Sequence, residues 1–285
     1  MDISGKHIVI TGATAGIGRS TAHALAAQGA TLTLLNRNPA KAEELAEELV
    51  DAGATPPTLI TMDMASLDSV RQAAEACLAL ARPIDILVNN AAVVNTTRRE
   101  SEDGFEETLA VNHFAPFLLT GLLLPALLDA PGSRIVNVAS DAHSFVRSMG
   151  FEDMQAEKDY KTFREYGRSK LANILFTRSL ASRLAGRDIT VNCLHPGAVA
   201  TSLGSQNEGL LARLLPMLLK PFFRSPDKGA ETSLYLCTSD AVAAISGAYF
   251  VNCQVKAAKP WAEDDDAAEE LWRYTEEAVG FSYPA

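Results

Sequence analysis

The sequence has little cysteine, a shortage of positive charge and no long uninterrupted apolar run. Its four cysteines, Cys77, Cys193, Cys237 and Cys253, show no CxxC or CxxH spacing. That argues against a disulfide framework or a zinc site and leaves no metal expected. The thiols read instead as small buried apolar side chains in a reducing, cytoplasmic setting. Lysine and arginine number 25 against 35 acidic residues, a formal charge of −10. Such a balance favours solubility and argues against a nucleic-acid partner. The longest apolar stretch, 114–128, is interrupted by Pro116, Thr120, Gly121 and Pro125. It falls short of the roughly 18 unbroken apolar residues of a membrane span. The opening Met1-Asp2-Ile3-Ser4-Gly5-Lys6 runs straight into an apolar strand pattern without a secretory signal. The expectation is a chain with no integral membrane anchor.

What the chain does have is a regular alternation of strand and helix patterns. Strands are expected over 7–10, 31–35, 58–62, 85–88, 133–140, 189–195 and 247–251. Helical patterns fill the intervals, with long ones over 105–128 and 160–184 and a short one over 229–236. Asn38 and Pro39 have the chemistry of an N-cap and first helical residue, and Gly53 that of a stop. Runs such as ILVN and IVNV are apolar on both faces, as in a parallel sheet covered by helices on both sides. With no repeat, linker or composition break, residues 1–285 read as a single doubly wound Rossmann-type α/β domain with a mostly parallel seven-stranded sheet.

At the first strand–helix junction lie Gly12, Thr14, Gly16, Ile17 and Gly18, within TGATAGIG. Glycines there let the backbone approach a pyrophosphate, and the following helix presents unpaired N–H groups and a positive dipole end. Where the second strand ends, an acidic residue would hold a ribose 2′-hydroxyl. The chain instead has Asn36-Arg37, with Arg19 just past the glycines. Two guanidiniums suit a 2′-phosphate, so NADP(H) is the expected cofactor.

Tyr166 and Lys170 stand at i and i+4, on one face of the 160–184 helix. A free phenol near pKa 10 is a poor acid–base at neutral pH, and a nearby ammonium is expected to lower it. Ser140 ends the fifth strand, where open α/β sheets place their ligand crevice. Its hydroxyl could hold a substrate oxygen beside Tyr166, while the Asn112 amide could anchor water near Lys170. His113 and His143 flank these positions without an acid partner in sequence and read as packing or surface hydrogen-bonding groups.

Taken together, TGATAGIG, Asn89-Asn90-Ala91, Asn112, Ser140, YGRSK and His195-Pro196-Gly197 with Thr201 resemble the short-chain dehydrogenase/reductase family, in that family's order. The resemblance implies a catalytic tetrad of Asn112, Ser140, Tyr166 and Lys170. It implies that Asp63, with Met64 beside it, contacts adenine, that Asn90 and Ala91 support the cofactor, and that Tyr166 and Lys170 also bind it. Pro196, Gly197, Val199 and Thr201 would flank the nicotinamide. The chain departs from the pattern at Ala92, where the family carries glycine, and in a longer separation between Ser140 and Tyr166. That insert, with Asp103-Gly104-Phe105-Glu106 and VNHFAPFLLT, resembles the retinol dehydrogenase-like branch.

This branch acts on lipophilic aldehydes, ketones and alcohols with NADP(H), and its membrane-bound members carry an apolar N-terminal anchor that is not seen here. A homodimer or homotetramer is the assembly the family suggests, with the long apolar helices as its surface. The apolar stretch around 202–225, broken by Pro216 and Pro221, reads as a substrate lid. A core or interface helix, or one lying on a membrane surface, is the alternative. A regulatory or scaffold protein that binds the dinucleotide without chemistry is the rival function. Such a protein would be expected to lose Tyr166 or Lys170, and both are present.

Overall fold

The structure, a computed structural model, describes residues 1–199 and 224–284. Thr201 and almost all of the expected lid lie outside the described residues. The sheet runs β1 (His7–Thr11), β2 (Thr31–Asn36), β3 (Thr58–Thr61), β4 (Ile86–Asn89), β5 (Ser133–Val138), β6 (Ile189–His195), β7 (Tyr249–Val251) and β8 (Gln254–Lys256). Their spatial order is β3-β2-β1-β4-β5-β6-β7-β8. Neighbours up to β7 are parallel and β8 is antiparallel.

The eighth strand is one more than the sequence suggests. It follows a two-residue turn in which Asn252 and Cys253 both take positive φ, 51° and 60°. That is the geometry of a type I′ hairpin turn, whose usual Asn-Gly signature is hidden by a cysteine in the second place.

Helices α1 (Gly16–Ala26), α2 (Pro39–Asp51), α3 (Leu67–Leu78), α4 (Glu107–Leu128), α5 (Thr162–Arg183), α6 (Pro226–Thr238) and α7 (Asp265–Val279) cover both faces. Strand residues divide between two cores by the period-two rule. Val9, Leu87, Ile135 and Val191 pack against α3, α4, α5 and α7. Ile8, Ile10, Ile86, Val136 and Leu194 pack against α1, α2 and α6. Asn38 caps α2 by accepting from the Lys41 N–H at 3.1 Å. The acidic run before α7 starts that helix. Asp264 caps that helix through the Ala267 N–H at 3.0 Å, and Asp265 and Asp266 fill its first turn, where the helix dipole favours negative charge.

Helix α4 is apolar all round and long enough to cross a membrane by composition, yet 78% of its apolar window is buried inside the protein. The C-terminal segment of the same chain contributes to that cover. The Trp272 and Tyr283 rings both pack edge-on against Phe117, and the Tyr283 hydroxyl donates to the Phe117 carbonyl at 2.8 Å. The surface expected to serve a second copy is therefore occupied, in part, from within the chain.

Near its start α4 contains a π-helical turn, Ala110–Phe114. Pro116 lacks the N–H that the Asn112 carbonyl would otherwise accept from four residues ahead, and π turns of this kind recur at functional sites.

Candidate active site

The strand order reverses between β1 and β4, and the crevice outside the carboxyl ends of strands at such a switch point is where open α/β sheets bind ligands. The glycine loop lies there. A Cβ on Gly12 would sit 2.8 Å from the Ala91 Cβ, and one on Gly18 would sit 2.4 Å from both Asn90 Nδ2 and the Gly12 carbonyl. Only a glycine pair fits so tight a loop.

Asn90 locks the loop from β4. Its amide donates to the Thr11 carbonyl at 3.0 Å and the Gly12 carbonyl at 3.1 Å. The backbone N–H groups of Asn90 and Ala91 both donate to the Thr11 hydroxyl. Asn36 braces the other side, accepting from the Ala13 N–H at 2.8 Å. Its own Nδ2 is buried without a partner. Helix α1 begins at Gly16 behind an extended Ala15, with no side chain capping its N–H groups. An open helix N-terminus over a cramped glycine turn fits a dinucleotide's pyrophosphate.

The other cofactor candidates divide. Ile17 and Val199 converge, each within 3.1 Å of where a Cβ on Gly229 would stand, and join the glycine loop to the segment after β6. Pro196 and Gly197 precede Val199 in that segment, and Gly197 lies beside the Arg224 side chain, whose guanidinium donates to Asn252 Oδ1 at 2.7 Å. Asp63 accepts from the Ala65 N–H at 2.9 Å. Met64 is buried in the core on the α3 side of the sheet, leaving its backbone as the part that can face a ligand.

Arg37 is exposed at the end of β2. Arg19, expected to share its task, is instead paired with Glu48 of α2, a carboxylate that also meets His23 at 3.2 Å. Glu48 escapes a sequence reading because its partner stands 29 positions earlier.

Ser140, Tyr166 and Lys170 come together at the carboxyl edge of β5. Ser140 caps the short helical turn Asp141–Phe145, accepting from the Ala142 N–H at 3.1 Å. Its side chain also shares a hydrogen bond with the Tyr166 phenol. Lys170 is only 2% exposed. Its Nζ donates to the Val138 carbonyl at 3.0 Å and lies 5.6 Å from the Tyr166 ring centroid.

Burial dominates the electrostatics. It pushes the Tyr166 phenol up to about 12, with the Ser140 hydrogen bond opposing, and draws Lys170 down to about 7. The expected lowering of Tyr166 by the ammonium is not what this arrangement produces, because desolvation penalises both charged forms.

Asn112 stands behind this group rather than in it. Its Oδ1 accepts from the Val93 N–H at 2.8 Å, and its Nδ2 donates to the Val93 carbonyl at 3.0 Å and the Ser169 hydroxyl at 2.9 Å. The amide expected to hold water is thus committed to joining the segment after β4 to α5. Histidines 113 and 143 keep structural places. His113 is buried beside Thr275, its imidazole brought down to about 3 by desolvation. His143 accepts from the Lys259 N–H at 3.3 Å, and its backbone carbonyl accepts from the Trp261 indole at 3.1 Å. His195 accepts from the Asp141 N–H at 3.1 Å, steadying the turn after Ser140.

A model of the short chain dehydrogenase family matches residues 6–209. The chain belongs to that family. Among relatives, retinol dehydrogenase 14 of Mus musculus is 43% identical over 97% of this chain and 86% of its own length. Retinol dehydrogenase 12 of Homo sapiens is 39% identical over 99% and 89%. An uncharacterized Mycobacterium paratuberculosis protein of solved structure superposes with a TM-score of 0.80 at 29% identity, covering 100% of this chain and 97% of its own. A putative NAD(P) dependent gluconate 5-dehydrogenase from Beutenbergia cavernae, crystallised with NADP, gives 0.69 at 30% identity over 87% and 95%. The protein is therefore a retinol dehydrogenase-like oxidoreductase of the short-chain family. Two features of the surroundings of α5 were missed in the sequence. One is Arg168 within YGRSK, and the other is the exposed pair Phe145 and Phe163.

Proposed function

We propose that the protein interconverts an aldehyde or ketone and the corresponding alcohol on a lipophilic substrate, using NADP(H). The observation that carries this is the meeting of Ser140, Tyr166 and Lys170 at a strand edge beside a loop shaped for pyrophosphate. NADP(H), when bound, supplies or takes up the hydride. The loop 12–18 and Asn90 would hold its diphosphate region, and Asp63 the adenine end. Lys170 would reach the ribose from below Tyr166.

Arg37 faces solvent where a 2′-phosphate would lie, and no carboxylate occupies the competing position. The NADP found in the Beutenbergia neighbour supports the same preference.

In reduction, Ser140 holds the substrate oxygen and the Tyr166 hydroxyl gives it a proton. A phenol with its pKa near 12 remains protonated across the neutral range, which suits that direction. Oxidation needs the phenolate. Its rate is therefore expected to climb with pH, as the phenol deprotonates, while reduction holds level only up to about pH 7, where Lys170 still carries its proton. Lys170, with its pKa near neutrality, is the adjacent group able to return a proton to Tyr166.

Tyr166→Phe tests the assignment. Turnover of every aldehyde should fall by roughly 10³-fold or more while NADPH binding stays within about twofold. Retained turnover overturns the reading.

A further inference from the structure

The segment that makes the Ser140–Tyr166 separation long does not loop into solvent; it winds around α5. It starts at Ser140 against Tyr166. It then passes over Gly167, where an added Cβ would stand 2.7 Å from the Ala142 carbonyl and 3.4 Å from the Phe145 Cβ. On the far side it is held by Arg168, which donates to the carbonyls of Met149, Gly150 and Asp153 at 2.7, 3.1 and 3.0 Å. The backbone that carries Phe145 is thereby fixed to the catalytic helix at both ends.

Phe145 and Phe163 face each other on this collar, edge to face, with centroids 6.3 Å apart and planes at 89°. They are 59% and 69% exposed. Two mutually packed phenyl rings left this open have apolar area still to be covered. Phe163, Tyr166, Gly167 and Lys170 fall at i, i+3, i+4 and i+7, one stripe of the helix. Phe163 therefore stands one helical turn before Tyr166 on the same face of α5, with Phe145 packed against it.

We infer that Phe145 and Phe163 are specificity-determining residues, an apolar clamp for the hydrocarbon part of the substrate next to its reacting carbon. This rests on the carbonyl–alcohol reading above and names what that reading leaves open, the feature that selects lipophilic substrates. A chain leaving the reacting carbon toward the N-terminal end of α5 meets the two rings first. Each methylene it buries there should raise kcat/KM about three- to fourfold until the rings are covered.

The test is a series of straight-chain aldehydes from propanal to dodecanal with NADPH, run on wild type, Phe145→Ser, Phe163→Ser and the double variant. Both positions are exposed, so folding should be unchanged, with melting temperature as the check. Wild type should climb steeply with chain length. The double variant should turn over propanal within twofold of wild type and lose roughly 10- to 100-fold on decanal. The affinity of the NADPH-bound protein for 1-decanol, a pair that has no hydride acceptor and so cannot turn over, should fall in parallel when read by calorimetry.

An unchanged slope in the double variant, with propanal turnover intact, overturns the inference and leaves the carbonyl reading standing. If only the sedimentation of the protein changes, the rings are a self-association face and the inference is again overturned. A wild type inactive on every aldehyde removes the carbonyl reading, and this inference with it.

Discussion

The Arg168 guanidinium lies 2.7 Å from the Glu165 carboxylate, three residues back on the same helix, and the two side chains are only 7% and 2% exposed. Glu165 also accepts from Arg164 Nε at 2.5 Å. Arg168 spends its other N–H groups on three carbonyls of the collar and the Met154 sulfur. The pair sits on the side of α5 away from Tyr166, so it works by holding the collar rather than by touching substrate.

Because Arg168 satisfies several buried acceptors at once, Arg168→Met should cost about 3–5 kcal/mol in urea unfolding. Glu165→Gln should cost less, since Arg168 keeps its carbonyls. In the double variant the two losses should fall short of additive. Equal and additive losses would show that the two side chains are not coupled.

Gly18→Ala places a methyl 2.4 Å from both the Asn90 amide and the Gly12 carbonyl. NADPH affinity should drop at least tenfold, because the loop must open to relieve the clash. Gly53→Ala is the control. Its φ is +87° with nothing within 4 Å, so it should lower stability by about 1 kcal/mol and leave NADPH binding unchanged.

Burial holds Lys170 at about 7, against an ordinary value of 10.5. The unfolded chain therefore binds the extra proton between those limits, and wild-type stability should rise with pH across that window. Below pH 7 the buried charge is carried in full. Lys170→Met should then be the more stable protein at pH 6, by on the order of 3–5 kcal/mol, with the gap closing toward pH 10.5. Denaturant unfolding at the two pH values measures it; a gap that does not change with pH would refute the assignment.

Cofactor choice should follow Arg37. Arg37→Glu is expected to weaken NADPH roughly 10- to 100-fold and to improve NADH, as read by fluorescence titration. Glu48→Gln releases Arg19 from its ion pair and should tighten NADPH while leaving NADH unaltered. An NADPH affinity indifferent to both changes would remove the phosphate clamp.

Local chemistry made much of this molecule legible in the sequence. Short apolar runs, several of them apolar on both faces, marked seven strands, because a parallel strand covered by helices on both sides buries neighbouring side chains alike. The glycine loop, the Asn38 cap and the Tyr166–Lys170 spacing are likewise short-range, so they could be read in place.

The tertiary structure decided what depends on partners far along the chain or on burial. Arg19 was drawn away by Glu48, and the Asn112 amide was taken by Val93 and Ser169. Strand β8 formed because the chain turned back through Asn252 and Cys253, both in the left-handed region. Tyr166 moved up in pKa rather than down, since desolvation outweighs a neighbouring ammonium that is itself desolvated. Spacing could place a phenol and an amine on one helix face, but only packing set which of their protonation states the protein favours.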